Sequence, residues 1–163
     1  LALGDALAIA SMQRKKFGKL DFKKFHPSGS LGSQLKTVND LMITKSEVPF
    51  INENYNIEKA LDIINSKKLG TVIIRNNKLN TTGILTDGDI KRLVQKFNNI
   101  KQLKIKDIIK NKPVSVDKDL LAAKALKIMN EKKITSLCVY SKSNKNKTIG
   151  LLHIHNILEA NIR

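Results

Sequence analysis

The feature that most restricts the fold of this chain is that it repeats itself, and a repeat of this length must be one supersecondary unit that needs its twin to bury a common core. Residues 58–75 laid over residues 123–140, at an offset of 65, are identical at seven of eighteen positions: Lys59/Lys124, Ala60/Ala125, Leu61/Leu126, Ile63/Ile128, Asn65/Asn130, Lys67/Lys132 and Lys68/Lys133. The apolar pattern matches throughout. In each copy Ala60, Leu61 and Ile64, or Ala125, Leu126 and Met129, recur at helical spacing, and a short β-branched or apolar run follows at Thr71–Ile74 and Ser136–Tyr140. Polar turns are predicted at Asn76–Asn80 and Lys142–Lys147, second strands at Gly83–Thr86 and Gly150–His153, and closing helices at about Gly88–Phe97 and His155–Ala160.

Related lead-ins, Val38–Met42 and Ile105–Ile109, precede the copies. Pro49 and Pro113 each open an extended stretch, and Asn56 and Asp117 or Asp119 are the expected helix N-caps. Strands this short cannot each bury a face alone, so the two sheets should pack about a pseudo-two-fold axis and leave clefts between the copies.

Composition bounds the function classes. Cys138 is the sole cysteine, which excludes an internal disulfide and suits a reducing cytoplasm. It sits in an apolar strand pattern with no neighbour that would activate a thiol, so it reads as a core residue. No apolar run approaches the roughly 20 residues of a membrane helix, and Gly4 and Asp5 interrupt the opening stretch, which resembles no signal peptide. The chain opens on Leu1 in helix-like sequence, which reads as a fragment of a longer protein. The net charge of +16 directs attention to nucleic acid, but the cations are overwhelmingly Lys, with Arg only at Arg14, Arg75, Arg92 and Arg163. With few aromatics and no stacking pattern among them, a solvated basic surface is the better reading, and nucleic acid is not the expected partner.

Chemistry concentrates where the second strand of each copy meets its closing helix. A strand end feeding a helix presents free backbone N–H groups; Thr86 adds a hydroxyl donor for a phosphate, and Asp89 an acceptor for sugar hydroxyls. The alternative is that Thr86 or Asp87 merely caps the helix and Asp89 favours its first turn. In the second copy His153 stands where Thr86 stands, and Asn156 replaces Asp89, so the two clefts are expected to bind unequally, or only one to bind. His153 and His155 are spaced as two ligands on a strand face, yet no third ligand lies near in sequence, so no metal is expected and they read as a polar corner.

The order Val38-x-Asp40-Leu41-Met42, helix, strand, then Gly83-Ile84-Leu85-Thr86-Asp87-Gly88-Asp89 resembles a CBS domain, and Gly150-Leu151-Leu152-His153-Ile154-His155-Asn156 resembles the second of a CBS pair. The first 36 residues, with Gly4-Asp5, Phe17-Gly18, Asp21-Phe22 and Phe25-His26-Pro27-Ser28-Gly29-Ser30-Leu31-Gly32, are similar to the end of the sugar isomerase (SIS) domain of bacterial arabinose 5-phosphate isomerases. In that family two CBS repeats follow an SIS domain, and the resemblance covers essentially the whole chain.

The resemblance implies an α+β tandem CBS pair of two pseudo-symmetric β-α-β-β-α repeats: an SIS remnant over 1–36, repeat 1 over 37–100 and repeat 2 over 101–163. It implies a regulatory portion of an enzyme that interconverts D-ribulose 5-phosphate and D-arabinose 5-phosphate on the route to the lipopolysaccharide sugar Kdo. His26 takes the place of that family's active-site histidine, with Ser28 replacing a glycine. The phosphate loops and carboxylates of a catalytic core are absent from the sequence, so the chain alone is expected to be inactive. No cofactor is required; the expected ligand is a regulatory nucleotide or nucleotide-sugar such as CMP-Kdo, held by Thr86, Asp87, Asp89, His153, His155 and Asn156. The expected partners are an SIS domain in cis and a second copy of the chain; the alternative is a ligand-free dimerisation and tethering module.

Overall fold

The computed structural model describes residues 2–15, 33, 35–109 and 112–162. Helix α1 (Ala2–Arg14) comes first, then a one-turn helix α2 (Val38–Leu41), strand β1 (Ile43–Thr44), a 3-10 turn at Lys45–Glu47 and β2 (Phe50–Asn52). The first repeat continues through α3 (Ile57–Lys67), β3 (Thr71–Arg75), β4 (Thr81–Thr86) and α4 (Asp87–Lys96). The second runs α5 (Ile105–Ile108), β5 (Ser115–Asp117), α6 (Ala122–Lys132), β6 (Ser136–Ser141), β7 (Asn144–His153) and α7 (Ile154–Glu159).

Each repeat builds the same sheet: a short first strand runs parallel to the strand after the helix, which pairs antiparallel with the next. The orders are β2-β3-β4 and β7-β6-β5, the latter extended by β1 on β7. Burial follows the apolar pattern that predicted the helices, with Ile57, Ala60 and Ile64 of α3 and Ala122, Ala125, Leu126 and Met129 of α6 facing inward. Removing an Ile- or Leu-sized side chain from water contributes about 1.5–3 kcal/mol, so these faces hold the helices on their sheets.

A third cluster lies between the sheets, where Ile73 of β3 and Cys138 of β6, equivalent in the two repeats, meet Val48 and Leu151. Beside it Arg75 reaches from the first sheet to the second. Its guanidinium stacks over the Phe50 ring, 3.0 Å from the centroid, and Nη2 donates to the Thr148 carbonyl. The Thr81 hydroxyl accepts from the Thr148 N–H at 3.0 Å and lies 2.7 Å from the Thr148 hydroxyl. Burial lowers the Arg75 pKa, against the opposing pull of Cys138.

The lead-ins are exchanged. Val38 of α2 is fully buried in the core of the second repeat, with Leu41 and Met42 packed against it, while Ile105 of α5 is fully buried in the core of the first, with Ile108 and Ile109 alongside. Backbone bonds secure both crossings. Val38 N–H donates to Leu120 O at 2.8 Å and Ala122 N–H to Lys36 O at 2.9 Å; at the equivalent positions Ile57 N–H donates to Leu103 O and Ile105 N–H to Tyr55 O, both at 2.9 Å. One of the first N–H groups of each repeat helix, which the helix itself cannot satisfy, is thus met by the other repeat's lead-in.

Two local expectations are corrected and a third is met. The second hairpin turn is not Lys142–Lys147: β7 starts at Asn144, leaving only Lys142 and Ser143 in the turn, with Ser141 and Asn144 paired across it. The extension is exposed and polar, so it carries no hydrophobic alternation to reveal a strand. Neither Asp117 nor Asp119 caps α6; the N-cap position is Leu121, whose side chain cannot serve. Asp117 instead accepts from the Asp119 N–H at 2.8 Å, and Lys36 supplies the carbonyl the helix needs. Asn56 does cap α3, accepting from the Lys59 N–H.

Gly83 and Gly150 mark where the exchanged lead-ins press on the second strands. A Cβ on Gly150 would lie 2.7 Å from the Met42 sulfur and 2.8 Å from the Ile43 carbonyl oxygen; one on Gly83 would lie 2.5 Å from Ile109 Cγ2. A side chain can swing aside where a paired backbone cannot. Gly150→Ala should therefore cost about 2–3 kcal/mol and Gly83→Ala about 1 kcal/mol, within the range of overpacked sites, as read from urea denaturation midpoints.

Candidate functional site

Both strand-to-helix junctions open into one cleft of about 640 Å³ on the pseudo-two-fold axis. Its walls pair residues at equivalent positions: Lys68 with Lys133, Leu69 with Ile134, Gly70 with Thr135, Thr71 with Ser136, Thr86 with His153 and Gly88 with His155. The volume suits a ligand of nucleotide size.

The repeat helices place the two lysines there. Lys68 and Lys133 are the C-caps of α3 and α6 and both adopt left-handed backbone, at φ 54° and 53°, which turns the chain from helix to strand at the cleft mouth. Gly70, at φ 60°, follows on the first side; its carbonyl accepts from the Asp87 N–H at 3.0 Å, and a Cβ there would come within 2.9 Å of the Asp87 carboxylate. The same bond recurs in the second repeat, from Ile154 N–H to Thr135 O.

Thr86 is the N-cap of α4 within a capping box. Its hydroxyl donates to Asp89 Oδ2 at 2.7 Å and accepts from the Asp89 N–H at 3.2 Å, while its own N–H donates to the same carboxylate at 3.0 Å. Arg92 Nη2 donates to the other Asp89 oxygen at 2.7 Å. Burial pushes the Asp89 carboxyl up, but the Thr86 hydroxyl, the Arg92 guanidinium and the Thr86 N–H together hold it below the ordinary carboxylate value. In this arrangement the Thr86 proton is already engaged by Asp89, as the helix-capping alternative predicts.

His153 does the same job with an imidazole. Its Nδ1 accepts from the His155 N–H at 3.3 Å, which places its ring proton on Nε2, and its N–H donates to Asn156 Oδ1 at 3.1 Å. The two rings lie 4.9 Å apart. Burial, then the neighbouring His155, lowers the His153 pKa, which favours the neutral ring.

Of the residues singled out in the sequence, Thr86, Asp87, His153 and His155 line the cleft, while Asp89 and Asn156 stand behind the wall as cap partners. His26 lies outside the described residues. Sequence reasoning passed over Lys68, Lys133, Arg92 and Lys112, the cations of the lining, and Ser136, whose buried hydroxyl has no hydrogen-bond partner among the described residues. The lysine pair stood among the seven identities, a signal that was available. Among the described residues no three His, Cys, Asp or Glu side chains gather as a metal site, and no helix is long and apolar enough to cross a membrane. Burial drives the Cys138 thiol up to about 12 despite the Thr148 contact and the Arg75 charge, which makes it a core group.

A paired fold of this kind, with a cleft on its internal axis, defines a tandem-repeat module. The CBS domain profile matches residues 38–96 and 105–163, and the chain belongs to the CBS domain family as a tandem pair. It is 34% identical over 163 residues to the arabinose 5-phosphate isomerase KdsD of Escherichia coli K12, covering 99% of this chain and 49% of that protein. The chain thus spans about half the length of the curated relatives it matches, corresponding to their C-terminal half. Among solved structures, CBSX2 in complex with AMP shares the fold at a TM-score of 0.62 and 20% identity, over 77% of this chain and 95% of that one. The CBS domain of a bacterial CNNM/CorC family Mg2+ transporter in complex with ATP does so at 0.65 and 18%, over 80% and 89%.

The capping box gives a pH test with a fixed sign. Because Asp89 has a lowered folded-state pKa, its contribution is complete above the unfolded carboxylate value of about 3.9 and fades as pH falls through the folded one. Asp89→Asn and Thr86→Ala should each cost about 1 kcal/mol near pH 7, and the Asp89→Asn deficit should shrink below about pH 4, as followed by urea denaturation across pH. Cys138 should resist a thiol reagent at pH 8 until the protein unfolds, a contrast that a colorimetric thiol assay with and without denaturant reads directly.

Proposed function

We propose that this chain is the regulatory CBS-pair portion of an arabinose 5-phosphate isomerase and that its cleft senses a nucleotide or nucleotide-sugar. The observation that carries the reading is the coincidence of two facts: the likeness to KdsD runs over 99% of the chain, and the cleft on the internal axis gathers Lys68, Lys112, Lys133 and Arg92 against one lining carboxylate, Asp87. Such an excess of cations in a nucleotide-sized cleft favours a phosphorylated ligand. CMP-Kdo is the leading candidate, because feedback on an early step needs a ligand chemically unlike the substrate, and coupling between the cleft and a catalytic half requires only that one state bind it better. The full protein would interconvert D-ribulose 5-phosphate and D-arabinose 5-phosphate in the cytoplasm with an SIS half in cis, His26 serving its active site. The exposed Leu3, Leu7, Ile9 and Met12 of α1 suit packing on such a half, and the exposed Val94, Phe97 and Leu158 suit self-association.

A second reading has its own support. The Thr86 hydroxyl is engaged by Asp89, and the second repeat carries His153 and Asn156 in the matching places, which suits a dimerisation and tethering module with no ligand.

Calorimetric titration of the chain with AMP, ATP, CMP and CMP-Kdo separates the two. Saturable binding of one of them is expected, and silence from all four supports the tether. Ribulose 5-phosphate isomerisation should be undetectable with this chain, and in the full protein it should respond to whichever ligand binds; measurable turnover by the chain alone would refute its assignment as a regulatory portion.

A further inference from the structure

The cleft is symmetric in shape but not in charge. The first repeat contributes Lys68 and Arg92, and these are offset by Asp87 in the lining and by Asp89, which holds Arg92 in an ion pair at 2.7 Å. The second contributes Lys112 and Lys133 with no carboxylate among its lining residues, and His153 and His155 stand where the first repeat has Thr86 and Gly88. By the register of β2 on β3 and β5 on β6, Lys112 corresponds to Glu47 of the first repeat, which is bound to Lys67 at 3.2 Å. Two cations against two carboxylates on one side face two cations and two imidazoles on the other. The start of α4 is therefore a poor seat for a phosphate, since Asp87 and Asp89 already answer its positive end, and the Thr86 proton is committed. The Ser136 hydroxyl, which has no hydrogen-bond partner among the described residues, lies on the second side.

Resting on the nucleotide reading above, we propose that the ligand binds in one direction only: its phosphates lie on the second repeat against Lys112, Lys133, His153 and His155, and Asp87 of the first repeat accepts hydrogen bonds from its sugar hydroxyls. One ligand per chain follows, because both junctions share one cleft. Binding is also coupled to a proton. The charged groups sharing the cleft with His153 are His155 on its own turn, Lys133 at the end of α6, Lys112, Lys68, and Asp87 and Arg92 across the axis. Burial and the neighbouring His155 favour the neutral His153 ring in the empty cleft, and a phosphate beside it favours its protonated form. Affinity for a phosphorylated ligand therefore rises as pH falls from 8 to 6.

Lys68 and Lys133 make the direction measurable. They have the same left-handed backbone at the same place in the two repeats, so their substitution perturbs folding alike, and any difference reads the ligand. The whole chain is titrated calorimetrically with adenosine, AMP and ATP at pH 6 and pH 8, as wild type and as Lys68→Gln, Lys133→Gln, Asp87→Asn and His153→Gln, with thermal melting confirming the fold of each. The expected results are one site per chain and a loss of ATP affinity in Lys133→Gln about tenfold beyond that in Lys68→Gln, the size of one lost charge contact. Asp87→Asn should weaken adenosine, AMP and ATP alike, and the gain in ATP affinity at pH 6 should vanish in His153→Gln. Equal losses at the two lysines, a greater loss at Lys68, or tighter ATP binding by Asp87→Asn would overturn the direction while leaving nucleotide binding intact. A pH response that survives in His153→Gln would remove the proton coupling. If none of the three compounds binds at either pH, the nucleotide reading falls, and this inference with it.

Discussion

The exchange of lead-ins is the constraint on which the remaining structure rests. Neither repeat can close its core from its own contiguous sequence, because Val38 fills the second and Ile105 the first, each with no exposed surface. The exchange is possible only where a second strand lets a foreign segment lie flat on it, and Gly83 and Gly150 provide that approach. Once both crossings are made, the two sheets are held face to face by Ile73, Cys138, Val48 and Leu151, and Arg75 ties the first sheet to Thr148 of the second. The cleft is what the close packing leaves on the axis. Its width is therefore set by the same contacts that hold the fold, and a ligand wedged there would act on both repeats at once.

Duplicated architecture with diverged chemistry is the second theme. Each junction uses its third helical residue to satisfy the N-cap N–H, with Asp89 in one repeat and Asn156 in the other, and each cap side chain accepts a backbone N–H in return. The capping task is thus kept while the groups that do it change from hydroxyl and carboxylate to imidazole and amide. The backbone sees two equal halves; an approaching anion meets two unequal ones.

The fold was largely legible because hydrophobic period and repetition speak directly of secondary structure. Ala60, Leu61 and Ile64 and their counterparts announced a helix, the runs from Thr71 and Ser136 announced strands, and Asn56 announced a cap. What stayed hidden were features settled by tertiary contact. The cap of α6 comes from a carbonyl in another segment, at Lys36, and the exposed start of β7 carries polar residues that look like a loop. At the site, Thr86 and His153 were visible as strand ends meeting helices. Lys68 and Lys133 were visible as identities, but nothing local says that a helix C-cap will stand over a cleft, and Lys112 has a glutamate as its counterpart, so the repeat gave no pointer to it.

The left-handed lysines carry a consequence for anyone who would make this protein sturdier. A backbone at φ near 54° is territory where glycine rests easily and a residue bearing a Cβ does not, at a penalty of about 1 kcal/mol for each residue. Glycine at both places would relax the turns and raise the melting point, and the same two changes would strip the cavity mouth of half its fixed positive charge. At these two residues backbone ease and cleft charge are opposed, and the chain as it stands keeps the charge.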